Sequence, residues 1–119
     1  MKLEGAFDEN RSPRLLIPMP SGEPLHLVVD TGFNGELCLP HALLKRYGFR
    51  RRGTRLVELA DGSRVASTLY EGEIFWFGRN QIVAALATRS PEGLLGTEML
   101  HGVRLEMDLD ENWVRLIKK

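Results

Sequence analysis

The chain has 119 residues, with 16 lysine or arginine and 16 aspartate or glutamate side chains, so its formal net charge is zero. This length predicts one domain over residues 1–119, and the balanced charge offers no electrostatic surface for nucleic acid or anionic lipid. The single cysteine, Cys38, excludes an internal disulfide and is typical of a reducing compartment. No apolar run approaches the length of a membrane span, and the first residues contain no signal region, so we expect a cytoplasmic protein that does not contact membranes.

Short apolar segments separated by turn residues predict a mostly β chain. Met1 to Pro13 is interpreted as an N-terminal tail. The strands predicted after it are Leu15–Pro18 and Leu25–Val29, joined by a Pro- and Gly-containing turn, and Glu36–Leu39. A short helix is predicted over Pro40–Tyr47, because proline stands at its start, basic residues lie in its last turn and Gly48 follows it.

The second half of the chain indicates three hairpins. The run Arg50-Arg51-Arg52 is expected to be a solvated loop. From Arg55 the sequence alternates as in a strand, and Asp61-Gly62 is a strong signal for a two-residue hairpin turn. The second arm of this hairpin is predicted over Arg64–Tyr70. Such a polar-tipped hairpin is expected to be mobile. The other predicted elements are Glu73–Phe77 with Gln81–Ala87, joined at Gly78-Arg79-Asn80, a short helix over Gly96–Leu100, and a terminal hairpin of Val103–Leu109 with Trp113–Ile117.

The most informative feature is the run Leu27–Gly32, in which an apolar strand ends at Asp30-Thr31-Gly32. An ionisable side chain at the end of a buried strand lies half out of water and needs a partner or a chemical role. Asp-Thr-Gly is also ordinary turn chemistry, because aspartate bonds its own backbone and glycine accepts a positive φ. A second segment, Gly93–Leu100, places two leucines between glycines and favours the functional interpretation.

With these two segments the chain resembles the retroviral-type (retropepsin-like) aspartic proteases of the single-domain bacterial kind. The resemblance implies that Asp30 is the catalytic aspartate. The supporting residues that it implies are Thr31, Gly32, Leu94, Leu95 and Gly96. The residues of the implied substrate-binding flap are Ala60, Asp61, Gly62 and Ser63. The implied fold is all-β, a small closed barrel of the retropepsin type with one or two short helices, functional as a symmetric homodimer.

The chain carries one Asp-Thr-Gly run and no second Asp-Thr-Gly or Asp-Ser-Gly. Hydrolysis by activated water needs one carboxylate as base and a second, protonated carboxyl group that polarises the scissile carbonyl. Two copies paired about a two-fold axis would supply one Asp30 each, and carboxyl groups about 3 Å apart share a proton. We therefore expect a homodimeric aspartic endopeptidase acting on peptide or protein substrates, with no cofactor.

His26, His41 and His101 match no zinc-ligand spacing, so no metal site is expected. The motif is followed by Phe33-Asn34-Gly35, where many relatives have a small or hydroxyl residue. In pepsin-like relatives a hydroxyl there favours the ionised aspartate, so its absence predicts activity at weakly acidic to neutral pH, with Asn34 as a substitute donor.

Two alternatives to the protease remain open. The chain could be a retropepsin-like dimerisation or peptide-binding module with weak catalysis, because a fold does not fix a function. It could also be an inactive monomer that awaits a different partner or the removal of its N-terminal tail, Met1 to Pro13.

Overall fold

The computed structural model describes all 119 residues, which form ten strands, one α-helix and one 3-10 helix. In chain order the elements are β1 (Lys2–Phe7), β2 (Pro13–Ile17), β3 (Leu25–Val29), β4 (Leu37–Pro40), α1 (His41–Arg46), β5 (Arg50–Glu58), β6 (Arg64–Trp76), β7 (Arg79–Thr88), β8 (Leu94–Leu95), the 3-10 helix (Thr97–Leu100), β9 (Val103–Asp108) and β10 (Trp113–Lys118). Strands hold 55% of the residues and helices 8%. The predicted mostly β fold with one or two short helices is confirmed.

All ten strands belong to one sheet, in the order β5-β6-β7-β4-β8-β3-β2-β1-β10-β9. A barrel closes only when the first and last strands of this order pair. Here β5 and β9 belong to two separate hairpins, β5–β6 and β9–β10, which do not pair with each other. The predicted closed barrel is therefore wrong, and the sheet has two free edges.

The first residues form a strand rather than the predicted tail. β1 lies between β2 and β10, with Gly5 opposite Leu15 on one side and opposite Val114 on the other. Its Leu3 and Phe7 pack against the core, because alternate residues of a strand share a face. Glycine is needed at the crossing with β2, since a Cβ at Gly5 would lie 1.8 Å from the carbonyl oxygen of Arg14.

The strands in the middle of the chain are longer than predicted. The Arg50-Arg51-Arg52 run, expected to be a loop, begins β5, where Arg50 pairs with Glu71. β6 is one continuous strand where two were predicted. The turn between β6 and β7 lies at Phe77-Gly78 instead of Gly78-Arg79-Asn80, because both residues take a positive φ, 52° and 81°, and so form the two-residue turn that matches the twist of paired strands.

The remaining elements lie close to their predicted bounds. α1 begins after Pro40 and is followed at Gly48 by a residue with φ of +71°, and the 3-10 helix follows Gly96. One cluster of twenty buried apolar residues forms the core, and no polar or charged residue is buried. No helix is long and apolar enough to cross a bilayer.

Candidate active site

Asp30 directly follows β3 and is half-buried at the edge of the core. Its backbone N–H donates a hydrogen bond to the carbonyl oxygen of Leu95 (2.9 Å), and the N–H of Phe33 donates to the carbonyl oxygen of Asp30 (3.1 Å). Its carboxylate Oδ1 accepts a hydrogen bond from the N–H of Gly32 (2.9 Å). Backbone bonds thus fix both the turn and the orientation of the carboxylate, while Thr31 beside it is exposed.

β8 supports this turn from within the sheet. Leu95 lies opposite Val29 in a parallel pair with β3 and opposite Leu37 in an antiparallel pair with β4. Leu95 is fully buried and Leu94 half-buried. The structure therefore brings the two leucines of the second segment directly beside the Asp30 turn.

Gly96 lies where the chain after β8 approaches the far end of the Asp30 loop. Its N–H donates to the carbonyl oxygen of Glu36 (2.8 Å), and a Cβ at this position would lie 2.1 Å from the carbonyl oxygen of Gly35. The next residue, Thr97, donates its N–H (2.9 Å) and its hydroxyl (3.3 Å) to the carbonyl oxygen of Phe33. The loop is thus anchored at both its ends.

The predicted flap residues lie at the tip of the β5–β6 hairpin and are all exposed: Ala60, Asp61, Gly62 and Ser63. The carboxylate of Asp61 accepts hydrogen bonds from the hydroxyl (2.6 Å) and the N–H (2.9 Å) of Ser63, and these bonds, the hydroxyl first, hold the pKa of Asp61 below its usual value. Gly62 takes a φ of +85°, which closes the turn.

Two clefts separate this hairpin from the Asp30 loop. The larger, of about 440 Å³, is walled by Phe33–Leu37 on one side and by Arg55 and Leu69 of the hairpin on the other. The second, of about 240 Å³, begins at Gly32 and also reaches Arg55. The hairpin and the loop therefore border a common space, whose walls begin two residues after Asp30.

Three residues at this site had no role in the sequence analysis: Glu36, Arg55 and Thr97. The side chain of Glu36 accepts a hydrogen bond from the N–H of Ala84 (2.8 Å), which ties the loop to β7. No hydrogen bond joins Asn34 to Asp30, and Asn34 is exposed. The partner of Glu36 lies 48 positions away in the chain, so no local sequence pattern indicates its role.

Cys38 of β4 lies half-buried near Asp30. Burial raises the pKa of its thiol, a hydrogen bond with Thr88 opposes this rise, and the negative charge of Asp30 adds to it. A raised pKa disfavours the thiolate, so the nucleophilic form of this cysteine is not stabilised here.

One chain presents a single carboxylate at the turn itself. Glu36 and Glu98 lie further along the larger cleft. His26, His41 and His101 are all exposed, and no group of three or more His, Cys, Asp or Glu side chains is placed to hold a metal ion.

No family model and no curated protein matches the sequence. Among solved structures, the fold is similar to a retropepsin-like aspartic protease from Rickettsia conorii, with a TM-score of 0.72 and 15% identity over 98% of this chain and 89% of that one. It is also similar to the EIAV protease complexed with the inhibitor HBY-793, with a TM-score of 0.62 and 20% identity over 82% and 92% of the two chains.

The simian foamy virus (mac) protease matches with a TM-score of 0.54 and 23% identity over 74% of this chain and 91% of that one. At these identities the likeness establishes the fold. The fold is that of the retropepsin-like aspartic proteases, which confirms the resemblance seen in the sequence at that level.

Proposed function

We propose that this protein is an aspartic endopeptidase in which two copies of the chain pair about a two-fold axis and each supplies one Asp30. The observation that carries the proposal is the placement of Asp30, a half-buried carboxylate at the end of β3 in a retropepsin-like fold. The Gly32 N–H fixes its orientation and the Leu95 carbonyl fixes its backbone. Withdrawing a carboxylate from water costs free energy, and catalysis gives this placement a use.

The proposed chemistry uses the two carboxyl groups in different protonation states. The ionised Asp30 takes a proton from water while the water oxygen bonds to the scissile carbonyl carbon, and the protonated Asp30 gives its proton to the carbonyl oxygen. As the tetrahedral intermediate collapses, the C–N bond breaks and the carboxyl group that took the water proton gives it to the amine nitrogen. The other carboxylate takes a proton from a hydroxyl of the intermediate, so the pair again holds one proton. Thr31 and Gly32 position the two side chains and transfer no proton.

The β5–β6 hairpin would bind the substrate. Its strands carry exposed apolar side chains near the tip, Leu56 and Val65 among them, and it borders the clefts beside the Asp30 loop. An extended peptide lying in these clefts could pair with hairpin backbone groups. Closure of the tip over it would exclude water from the reaction.

A peptide-binding module with weak catalysis is the second candidate, and one observation favours it. The cleft walls begin at Gly32 and do not include Asp30. The space that would hold a peptide therefore exists independently of the carboxylate.

Replacing Asp30 with asparagine separates the two candidates. We expect Asp30→Asn to lower peptide cleavage at least about 1000-fold, because both roles of the carboxyl pair are lost. Cleavage of a mixed peptide library is measured from weakly acidic to neutral pH, and the wild-type rate should rise faster than linearly with protein concentration. Glu9→Gln, an exposed carboxylate in the β1–β2 turn, is the matched control and should cleave normally.

Cleavage that survives in Asp30→Asn would reject the proposed enzyme. Tight peptide binding without cleavage in both the wild type and the variant would establish the binding module instead.

A further inference from the structure

We infer that the larger cleft beside the Asp30 loop selects peptides that carry an acidic side chain, and that the guanidinium of Arg55 binds this side chain. The inference rests on the proposed function, because it assumes that an extended peptide lies between the β5–β6 hairpin and the loop. It adds a substrate class to that function and assigns a residue that determines specificity.

Arg55 lies on the hairpin wall of both clefts. It belongs to β5 and is exposed, and neither cleft is lined by another lysine, arginine or histidine. Across the hairpin it lies opposite Ser67, a neutral residue. A peptide in either cleft therefore passes one positive charge, which the hairpin supplies.

The guanidinium of Arg55 has no partner within the chain. It makes no side-chain hydrogen bond and no ion pair, whereas Arg52 on the same strand pairs with Glu71 at 3.3 Å. A guanidinium presents a planar fork of N–H donors that fits the two oxygens of a carboxylate. These donors are available to a ligand at Arg55.

Two carboxylates line the larger cleft on the opposite wall, and each has a neighbour of its own. Glu36 Oε1 accepts a hydrogen bond from the N–H of Ala84 (2.8 Å), and Glu98 Oε2 lies 3.5 Å from Nε2 of His101. Neither forms an ion pair with Arg55. The cleft thus has a positive wall on the hairpin and a negative wall on the loop side, and successive side chains of an extended peptide point to opposite sides.

The other charges of the hairpin do not cancel or replace that of Arg55. Glu58 lines the smaller cleft, but it lies opposite Arg64 in the hairpin, and opposite charges in this position compensate each other. Arg52 lies outside both clefts, about 10 Å from Arg55 along an extended strand, where its charge is largely screened at physiological ionic strength. Arg55 is therefore the charge that a bound peptide meets.

Two leucines beside Arg55 strengthen an ion pair formed there. Leu69 of β6 and Leu86 of β7 lie opposite each other, and both line the larger cleft with Arg55. A charge pair against apolar side chains is screened by water less than one in open solvent. The same leucines offer a surface to the methylene groups of a glutamate side chain, so glutamate is the acidic residue that fits this cleft.

Two peptide libraries test the inference, one containing glutamate and the other glutamine in its place. With equal amounts of both present, we expect the wild type to cleave the glutamate peptides about tenfold faster, because the amide cannot form a charged bidentate pair with Arg55. Arg55→Gln should cleave both libraries at equal rates. Arg55→Glu should prefer glutamine over glutamate and should prefer lysine over both.

Arg51→Glu is the matched control. Arg51 is an exposed arginine of the same strand that lines neither cleft, so its reversal should leave the wild-type preference unchanged. Circular dichroism verifies the fold of each variant. A wild type without preference, or Arg55→Gln that slows cleavage of both libraries but keeps the preference, would overturn the inference. Arg51→Glu that shifts the preference as far as Arg55→Glu would overturn it too.

Peptide binding separates this inference from the proposed function. Immobilised Asp30→Asn, mixed with both libraries, should retain glutamate peptides preferentially, and Asp30→Asn combined with Arg55→Gln should retain both libraries equally, as measured by mass spectrometry. Preferential retention without cleavage by the wild type would support selection by Arg55 and reject the enzyme. Cleavage without a preference would leave the enzyme intact and overturn the inference. A chain that neither retains nor cleaves peptides overturns both.

Discussion

Gly96 occupies the closest backbone approach around the Asp30 turn. We expect Gly96→Ala to lower the free energy of unfolding by about 3 kcal/mol, because its Cβ would lie 2.1 Å from the carbonyl oxygen of Gly35 and backbone must move to relieve the overlap. Denaturant unfolding measures the change. The added movement should also weaken the Thr97–Phe33 hydrogen bonds that anchor the loop.

Gly102→Ala is a matched comparison for this variant. Gly102 has a φ of +70° but nothing within 4 Å of its Cβ position, so alanine there should cost about 1 kcal/mol through backbone conformation alone. An equal loss in the two variants would contradict a steric role for Gly96.

Among single residues, the sequence predicted those whose chemical type is unusual at their position. It missed those that act through their backbone groups. Asp30 stands out because a carboxylate follows buried residues, and Gly96 because it follows two leucines. Phe33 acts through its carbonyl oxygen, which any residue possesses. Thr97 and Glu36 acquire their partners only when distant segments meet, so no local pattern indicates them.

The hairpin β1–β2 is joined to the segment before β8 by an ion-pair cluster. The guanidinium of Arg14 donates to both carboxylate oxygens of Glu92 (2.7 and 2.6 Å) and to Asp8. Asp8 also accepts the N–H of Ser12 (3.0 Å). The Ser12 N–H, followed by Arg14, holds the pKa of Asp8 below its ordinary value of 3.8.

This cluster makes stability depend on pH. A carboxylate whose pKa is lower in the folded chain than in the unfolded chain stabilises the fold above its unfolded pKa of 3.8. This contribution is lost as the pH falls through the pKa of the folded chain. We expect Asp8→Asn to melt at a lower temperature than the wild type at neutral pH, with the difference shrinking in acid. Thermal unfolding at several pH values measures it, and a difference that stays constant into acid would contradict the assignment.

Among the elements, hairpins with a distinct turn could be predicted and strand boundaries could not. Asp61-Gly62 and the residues before Trp113 mark their turns in sequence. Phe77-Gly78 does not, because phenylalanine rarely takes a positive φ and adopts it here in the tight turn between β6 and β7. β1 was missed because its apolar face consists only of Leu3, Gly5 and Phe7, and its pairing with β10 joins the two ends of the chain.

For the whole molecule, the placement of β1 bears on activation by N-terminal processing. β1 lies between β2 and β10, so a chain that begins at Asp8 loses a central pairing partner of both strands. We expect this truncated chain to lose cooperative thermal unfolding, measured by circular dichroism, whereas Lys2→Ala, at an exposed position, should unfold like the wild type. A truncated chain that is stably folded and more active would restore the processing model.

The sheet order as a whole could not be read from the sequence. A closed barrel was expected from the family resemblance. Closure depends on whether the β5–β6 and β9–β10 hairpins pair with each other, and the residues of these hairpins do not specify that pairing. The open order leaves both edges free.

The insertion of β8 between β3 and β4 has a consequence for how the protein is made. The Asp30 N–H and the Leu95 carbonyl that it contacts are separated by 65 positions, and long sequence separations slow folding because distant segments must first diffuse together. A chain emerging from the ribosome carries Asp30 in an unclamped turn until Leu95 has been synthesised and inserted. The aspartate turn is therefore among the last features to become rigid during biosynthesis.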